Sequence, residues 1–137
     1  ALMREEIMKK VLFVCVENSC RSQMAEAFAN IHGEKRMEVY SAGSKASGKI
    51  NDKAIKAMRD VGYDLNAHQS KSLQDIPDIY YDYAITMGCG DECPDVRAKH
   101  RLDWAIPDPK FMEAPEFNEV RDVIEGRVSE LIQTGWR

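Results

Sequence analysis

The residues best suited to carry chemistry are Cys15 and Arg21, which bound a short polar stretch. The run 9–14 before the cysteine predicts a buried strand, and a helical pattern that ends at Gly33 follows the arginine. Backbone N–H groups in such a strand–loop–helix unit converge on an anion, and the residues that would supply this oxyanion site are Val16, Glu17, Asn18, Ser19, Cys20, Arg21 and Ser22. The Arg21 guanidinium matches two oxygens of a tetrahedral oxyanion. These donors would keep Cys15 as a thiolate, a nucleophile aimed at phosphorus or arsenic.

Strands and helices alternate along the chain. Strands are predicted at 9–14, 37–43, 82–87 and 101–105, and helices up to Gly33, from Asn51 to Gly62 and from about Pro115, with a helical turn at 73–76. This order predicts an α/β fold, a single three-layer domain with a four-stranded parallel sheet flanked by helices. Active sites of such sheets lie at the carboxyl ends of the strands. We therefore expect Cys15, Cys89 and Asp108, each of which follows a strand, at one edge of the sheet.

Composition limits the classes of function. The 137 residues suit one domain, which we assign to 9–137 after a flexible N-terminal extension at 1–8. A formal net charge of −4 argues against binding to nucleic acid or to an anionic membrane, and no apolar run approaches the length of a membrane span. Four cysteines without an export signal predict a reducing compartment, the cytoplasm, where catalytic, redox-active or metal-bound thiols are more common than structural disulfides.

With these residues placed, the chain resembles the thioredoxin-coupled arsenate reductases of the low-molecular-weight phosphotyrosine phosphatase family. The resemblance runs from Met8 to the C-terminus, and its motifs are Cys15 to Glu26, Ser41-Ala42-Gly43, His68-Gln69-Ser70-Lys71, Cys89 with Cys93-Pro94, and Asp108-Pro109. The loop motif is shared with tyrosine phosphatases and identifies only the superfamily. The pair Cys89 and Cys93 indicates the reductase branch.

The resemblance implies a sequence of steps. Cys15 would attack arsenate held by the loop amides and Arg21, with Asp108 as the general acid. Cys89 would attack Cys15 and release arsenite, and Cys93 would then move the disulfide to Cys89–Cys93, which thioredoxin reduces. We expect no cofactor, no metal ligands and a monomer, with a site that phosphate or sulfate can occupy in place of arsenate.

Two residues depart from the pattern of these relatives. Glu17 stands where the phosphatases have glycine, and we expect its side chain to point outward because a carboxylate facing the anion would repel it. Some relatives bind potassium beside the loop through an asparagine, a glutamate, a serine and an aspartate. Asn18, Glu26 and Ser41 match the first three, and Lys71 takes the place of the aspartate. We expect the Lys71 ammonium to replace the cation and so support the loop, with a solvated lysine as the alternative.

Three further residues are interpreted as structural. Cys20 is expected to be a packed loop residue and not a shuttle thiol. His68 and His100 are expected to be hydrogen-bonded groups and not catalysts.

Two other functions stay open at this stage. A phosphotyrosine phosphatase would use Cys15, Arg21 and Asp108 with water as the second nucleophile. That class surrounds its site with aromatic residues. None is clearly placed near Asp108, where Lys110 and Phe111 are the best candidates to line the pocket. A zinc module would use all four cysteines, although their spacing is looser than in common zinc knuckles. We therefore rank the reductase first, the phosphatase second and the zinc module third.

Overall fold

The computed structural model describes residues 8–33, 36–88 and 96–134. Its elements in chain order are β1 (Lys9–Cys15), α1 (Arg21–Gly33), β2 (Met37–Gly43), α2 (Asp52–Arg59), β3 (Tyr81–Thr86), β4 (Ala98–Asp103) and α3 (Ala114–Thr134), with short 3₁₀ turns at Leu65–Ala67 and Leu73–Asp75. The strands form one parallel sheet in the order β2-β1-β3-β4. The predicted α/β fold with a four-stranded parallel sheet is confirmed.

Strand β1 lies inside the sheet and its residues from Val11 to Cys15 are buried. Alternate side chains of a strand point to opposite faces. Val11 and Phe13 therefore face the larger apolar cluster, to which α1, α2 and α3 all contribute. Leu12 and Val14 face a smaller cluster on the other side, around Tyr81. Packing on both faces fixes the carboxyl end of β1, and with it the loop that begins at Cys15.

Two elements depart most from their predicted bounds. Strand β4 begins at Ala98 and ends at Asp103, three residues earlier than predicted at its start. It is an edge strand whose residues 99–103 are exposed, so no apolar pattern marks it, and pairing with β3 sets its position. Helix α2 ends at Arg59 and not at Gly62, which lies in the following turn with a φ of +87°. No helix in the described ranges is both long and apolar enough to cross a membrane.

Candidate active site

Residues 15–22, which we call the oxyanion loop, join β1 to α1 and are largely buried. Cys15 is 3% exposed, and its Sγ lies 2.8 Å from Ser22 Oγ. Asn18 Nδ2 donates to the same Ser22 oxygen at 2.7 Å. Because that bond occupies a lone pair of the hydroxyl, the Ser22 O–H is available to donate to the Cys15 sulfur. This contact holds the Cys15 sulfur in place at the end of β1.

Asn18 holds the loop in shape. Its φ of +52° lies in the left-handed region, which asparagine tolerates better than most residues. Its side chain is fully buried and uses its whole hydrogen-bonding capacity. Nδ2 donates to Ser22 and Ser41, and Oδ1 accepts from Gln23 Nε2 at 2.8 Å and from the backbone N–H of Lys71 at 2.7 Å. The amide therefore ties the loop to α1, β2 and the segment at residue 71.

Gly43, the last residue of β2, lies directly against the backbone of the oxyanion loop. A Cβ at this position would lie 2.5 Å from the Val16 carbonyl oxygen and 2.9 Å from the Asn18 nitrogen. Backbone atoms cannot move aside as a flexible side chain can, so a larger residue must displace the loop. The loop geometry therefore requires glycine here.

We predict that Gly43→Ala weakens the binding of inorganic phosphate about tenfold or more, because the donors must converge on the anion. Isothermal titration calorimetry measures this directly. Gly126→Ala is the matched control, since a Cβ at that helical glycine meets no atom within 4 Å. Equal phosphate affinity in the two variants would contradict the assignment of residues 15–22 as an anion site.

Arg21, in the oxyanion loop, lies next to Asp108. Arg21 is 6% exposed, and its Nη1 donates to the carbonyl oxygens of Met87 and Ile106, at 2.5 Å and 3.0 Å. Both of these hydrogen bonds come from Nη1. The opposite edge of the guanidinium, formed by Nε and Nη2, can therefore bind two oxygens of an anion. Nη2 also lies 3.8 Å from Asp108 Oδ2, and the Asp108 side chain is half exposed. The guanidinium thus links the end of β3 and the segment before Asp108 to the oxyanion loop.

A second polar cluster lies behind the loop. Ser41 Oγ donates to Glu26 Oε1 at 2.5 Å. Lys71 Nζ donates to the Gln69 carbonyl at 2.9 Å and lies 3.5 Å from Ser41 Oγ and 3.8 Å from Glu26 Oε1. The Lys71 side chain is only 25% exposed. Its ammonium therefore sits among the oxygens of this cluster and is not solvated on all sides.

Sequence reasoning missed a chain of hydrogen bonds through Gln23 and His68. Gln23 is fully buried; its Nε2 donates to Asn18 Oδ1, and its Oε1 accepts from His68 Nδ1 at 2.9 Å. The other ring nitrogen, Nε2, lies 2.6 Å from the Tyr63 hydroxyl. Burial lowers the pKa of His68 and outweighs the opposite effect of the Glu26 carboxylate. His68 is thus a hydrogen-bonded group. Gln23 lies within the motif from Cys15 to Glu26, but the sequence does not reveal its contact with His68.

The cysteines of the site differ in character. Cys20 is 4% exposed, and burial raises the pKa of its thiol to about 12. It stays protonated at neutral pH and suits packing better than nucleophilic attack. Cys15 and Cys20 are free thiols, whereas Cys89 and Cys93 lie outside the described residues. Within the described ranges, no group of three His, Cys, Asp or Glu side chains is arranged to hold a metal ion.

Glu17 carries the carboxylate of the oxyanion loop and is about one-third exposed. It pairs with Lys110, whose Nζ lies 2.7 Å from Glu17 Oε2. The backbone N–H of Lys110 donates to Asp108 Oδ1 at 3.1 Å. Phe111, the aromatic residue closest in sequence to Asp108, is 88% exposed. The rim of the site beside Asp108 is therefore charged.

Comparison with known proteins gives consistent matches. The sequence profile of the low molecular weight phosphotyrosine protein phosphatase family matches residues 10–134. The glutaredoxin arsenate reductase of Synechocystis sp. is 38% identical over 128 residues, covering 91% of this chain and 97% of that protein. A solved arsenate reductase in the phosphate binding state superposes with a TM-score of 0.84 at 38% identity, covering 92% of this chain and 98% of that one. The thioredoxin-dependent arsenate reductase of Corynebacterium glutamicum gives 0.73 at 33% identity, covering 93% of this chain and 63% of that one.

Proposed function

The chain belongs to the low molecular weight phosphotyrosine protein phosphatase family and, within it, to the arsenate reductases; from this premise we propose that it reduces arsenate to arsenite with electrons from its own cysteines. The observation that carries the proposal is the environment of Cys15. Its sulfur lies within reach of the Ser22 hydroxyl in a loop fixed by Asn18, in the same site as the open edge of Arg21. A tetrahedral oxyanion held by this loop would present its central atom to the thiolate.

The first step forms a sulfur–arsenic bond. The Cys15 thiolate attacks arsenic while the loop amides and Arg21 stabilise the charge on the equatorial oxygens. One As–O bond breaks, and Asp108 protonates the departing oxygen, which leaves as water. Asp108 suits this role because it lies beside Arg21 and is half exposed, so the product water can leave.

The second step transfers the electrons. The Cys89 thiolate attacks Cys15 Sγ, and the electron pair of the S–As bond passes to arsenic, which leaves as arsenite. Two thiols have then become a Cys15–Cys89 disulfide. Cys93 attacks Cys89, which frees the Cys15 thiolate and leaves a Cys89–Cys93 disulfide. Thioredoxin would reduce that disulfide in the cytoplasm, where thiols are kept reduced.

The similarity to relatives named for thioredoxin and for glutaredoxin makes the reductant the first thing to test. NADPH consumption is followed on adding arsenate to the protein with thioredoxin and thioredoxin reductase, and separately with glutaredoxin, glutathione and glutathione reductase. We expect sustained consumption in the thioredoxin arm. Consumption only in the glutaredoxin arm would overturn the thioredoxin coupling, and release of phosphate from aryl phosphates without arsenate reduction in either arm would favour the phosphatase.

Lys71 gives a test of how the loop is supported. We expect the wild-type rate to be nearly the same in potassium and in sodium at constant ionic strength, because the fixed ammonium already supplies a positive charge to Ser41 and Glu26. Lys71→Asp should be slower and become potassium-dependent, since it adds a carboxylate where the ammonium was. Strong activation of the wild type by potassium over sodium would show that this lysine does not replace the cation.

A further inference from the structure

An ion pair joins the two walls of the candidate active site. One wall is the oxyanion loop, and the other is residues 107–111, which we call the acid segment because it carries Asp108. Glu17 on the first wall accepts a hydrogen bond from the Lys110 ammonium on the second, at 2.7 Å. These two residues are 93 positions apart in sequence, so the contact exists only in the folded protein.

Both ends of this pair are anchored. The backbone carbonyl of Glu17 accepts hydrogen bonds from Ser47 N at 3.1 Å and from Ser70 Oγ at 3.0 Å. The backbone N–H of Lys110 donates to Asp108 Oδ1 at 3.1 Å. Exposed ion pairs usually contribute little because two long side chains must be ordered. Here the backbones of both residues are already held in place, so only the two side chains remain to be ordered.

The pair also completes a ring of charges around the mouth of the site. Asp108 Oδ1 accepts from Lys110 N–H, and Asp108 Oδ2 lies 3.8 Å from Arg21 Nη2. Arg21 and Glu17 belong to the same loop. The Asp108 carboxyl is therefore held between the Arg21 guanidinium of the loop and Lys110. Lys110 is in turn bound to Glu17 of the same loop.

The charges have a direct consequence for an anionic substrate. Glu17 places a negative charge on the loop that must bind a multiply charged anion, which costs binding energy unless a cation lies nearby. Lys110 supplies that cation. Its hydrogen bond to Glu17 raises the pKa of Lys110, with a smaller contribution from Asp108, so the ammonium stays charged at neutral pH.

From these contacts we propose that Glu17 and Lys110 act together as a positioning pair for the oxyanion reaction. Lys110 neutralises the loop carboxylate, and the bridge holds the acid segment against the oxyanion loop so that Asp108 stays within reach of the departing oxygen. The proposal rests on the proposed function for its catalytic half, whereas its electrostatic half concerns any oxyanion. Neither residue needs to touch the substrate.

The electrostatic half is tested by titrating inorganic phosphate into four variants at low ionic strength. Lys110→Met should weaken phosphate binding about fivefold, because it leaves Glu17 uncompensated, and high salt should reduce that loss. Glu17→Gln should change the affinity about twofold or less, and Glu17→Gln combined with Lys110→Met should recover most of the loss. Lys99→Met removes the same charge near the amino end of β4 and is the control.

The catalytic half is tested by the rate at saturating arsenate. Every variant that breaks the bridge, including Glu17→Gln with its near-normal phosphate affinity, should lower kcat about threefold or more, because a small misplacement of an acid is costly. Lys110→Arg keeps the charge and should recover most of the wild-type kcat. Lys99→Met should leave kcat unchanged.

The two halves fail separately. If the double variant binds phosphate as weakly as Lys110→Met, Lys110 acts on the anion directly and the neutralisation is wrong. If Glu17→Gln retains the wild-type kcat, the bridge does not position Asp108. If the variants show the expected phosphate affinities but the wild type reduces no arsenate, the proposed function is wrong and the electrostatic role of the pair remains.

Discussion

Cys15→Ser is expected to lower arsenate reduction by a factor of about a thousand or more, because a serine hydroxyl ionises far less readily than a thiol and cannot form the disulfide. The same change should leave phosphate binding within a few-fold of the wild type. The loop is fixed by Asn18, Gly43 and Arg21, and serine is close in size to cysteine. Arsenite formation is measured with thioredoxin and its reductase, and phosphate binding by calorimetry.

This pair of measurements separates lost chemistry from lost structure. A variant that neither reduces arsenate nor binds phosphate would be misfolded, and its circular dichroism and thermal unfolding would show it. A folded Cys15→Ser variant that still turns over arsenate at a substantial rate would remove Cys15 from the mechanism.

The second large effect is expected from substitutions of the shuttle cysteines, Cys89 and Cys93. The two substitutions should stop the reaction at different steps. Cys89→Ser should release almost no arsenite in the absence of added thiol, because nothing attacks the Cys15–arsenic adduct. Cys93→Ala should release about one arsenite per chain and then stop, with a Cys15–Cys89 disulfide. Rapid-quench measurement of arsenite and mass spectrometry of the protein distinguish the two.

Both variants keep Cys15, so both should bind phosphate normally and hydrolyse a simple aryl phosphate slowly. Reduction of arsenate at the wild-type rate by either variant, with thioredoxin present, would show that the shuttle assignment is wrong. The phosphatase interpretation would then become the better one.

The fold was predictable because its signals are local and strong. The apolar run at 9–14 occupies the buried strand β1, and Gly33 ends α1 as expected. The predicted position of β4 was shifted along the chain, because an edge strand with exposed, charged side chains has no apolar alternation that marks it in the sequence. Pairing with β3, and not local preference, decides where it begins.

The candidate site was predictable to the extent that its residues lie in one motif or follow a strand. The positions of Cys15, Arg21 and Asp108 follow from that logic, and the contact of Arg21 with Asp108 agrees with it. The Glu17–Lys110 pair and the buried Gln23 could not be predicted in the same way. Each depends on where a distant segment returns to the loop, and that is set by tertiary packing.

The disulfide shuttle is tested most directly by following the four thiols through one turnover. Fully reduced protein is mixed with arsenate without reductant, quenched in acid, alkylated and digested with trypsin. Cleavage at lysine and arginine puts Cys15 and Cys20 in the peptide 11–21 and Cys89 and Cys93 in the peptide 72–97. A disulfide within either pair, or between Cys15 and Cys89, therefore gives a different product.

We expect one arsenite per chain and a peptide 72–97 that has lost two hydrogen atoms and carries no alkyl group, while the peptide 11–21 is fully alkylated. An early quench should trap the two peptides joined through Cys15 and Cys89. The shuttle through Cys89 and Cys93 would be wrong if arsenite formed while the peptide 72–97 remained fully alkylated, or if fully reduced protein formed no arsenite.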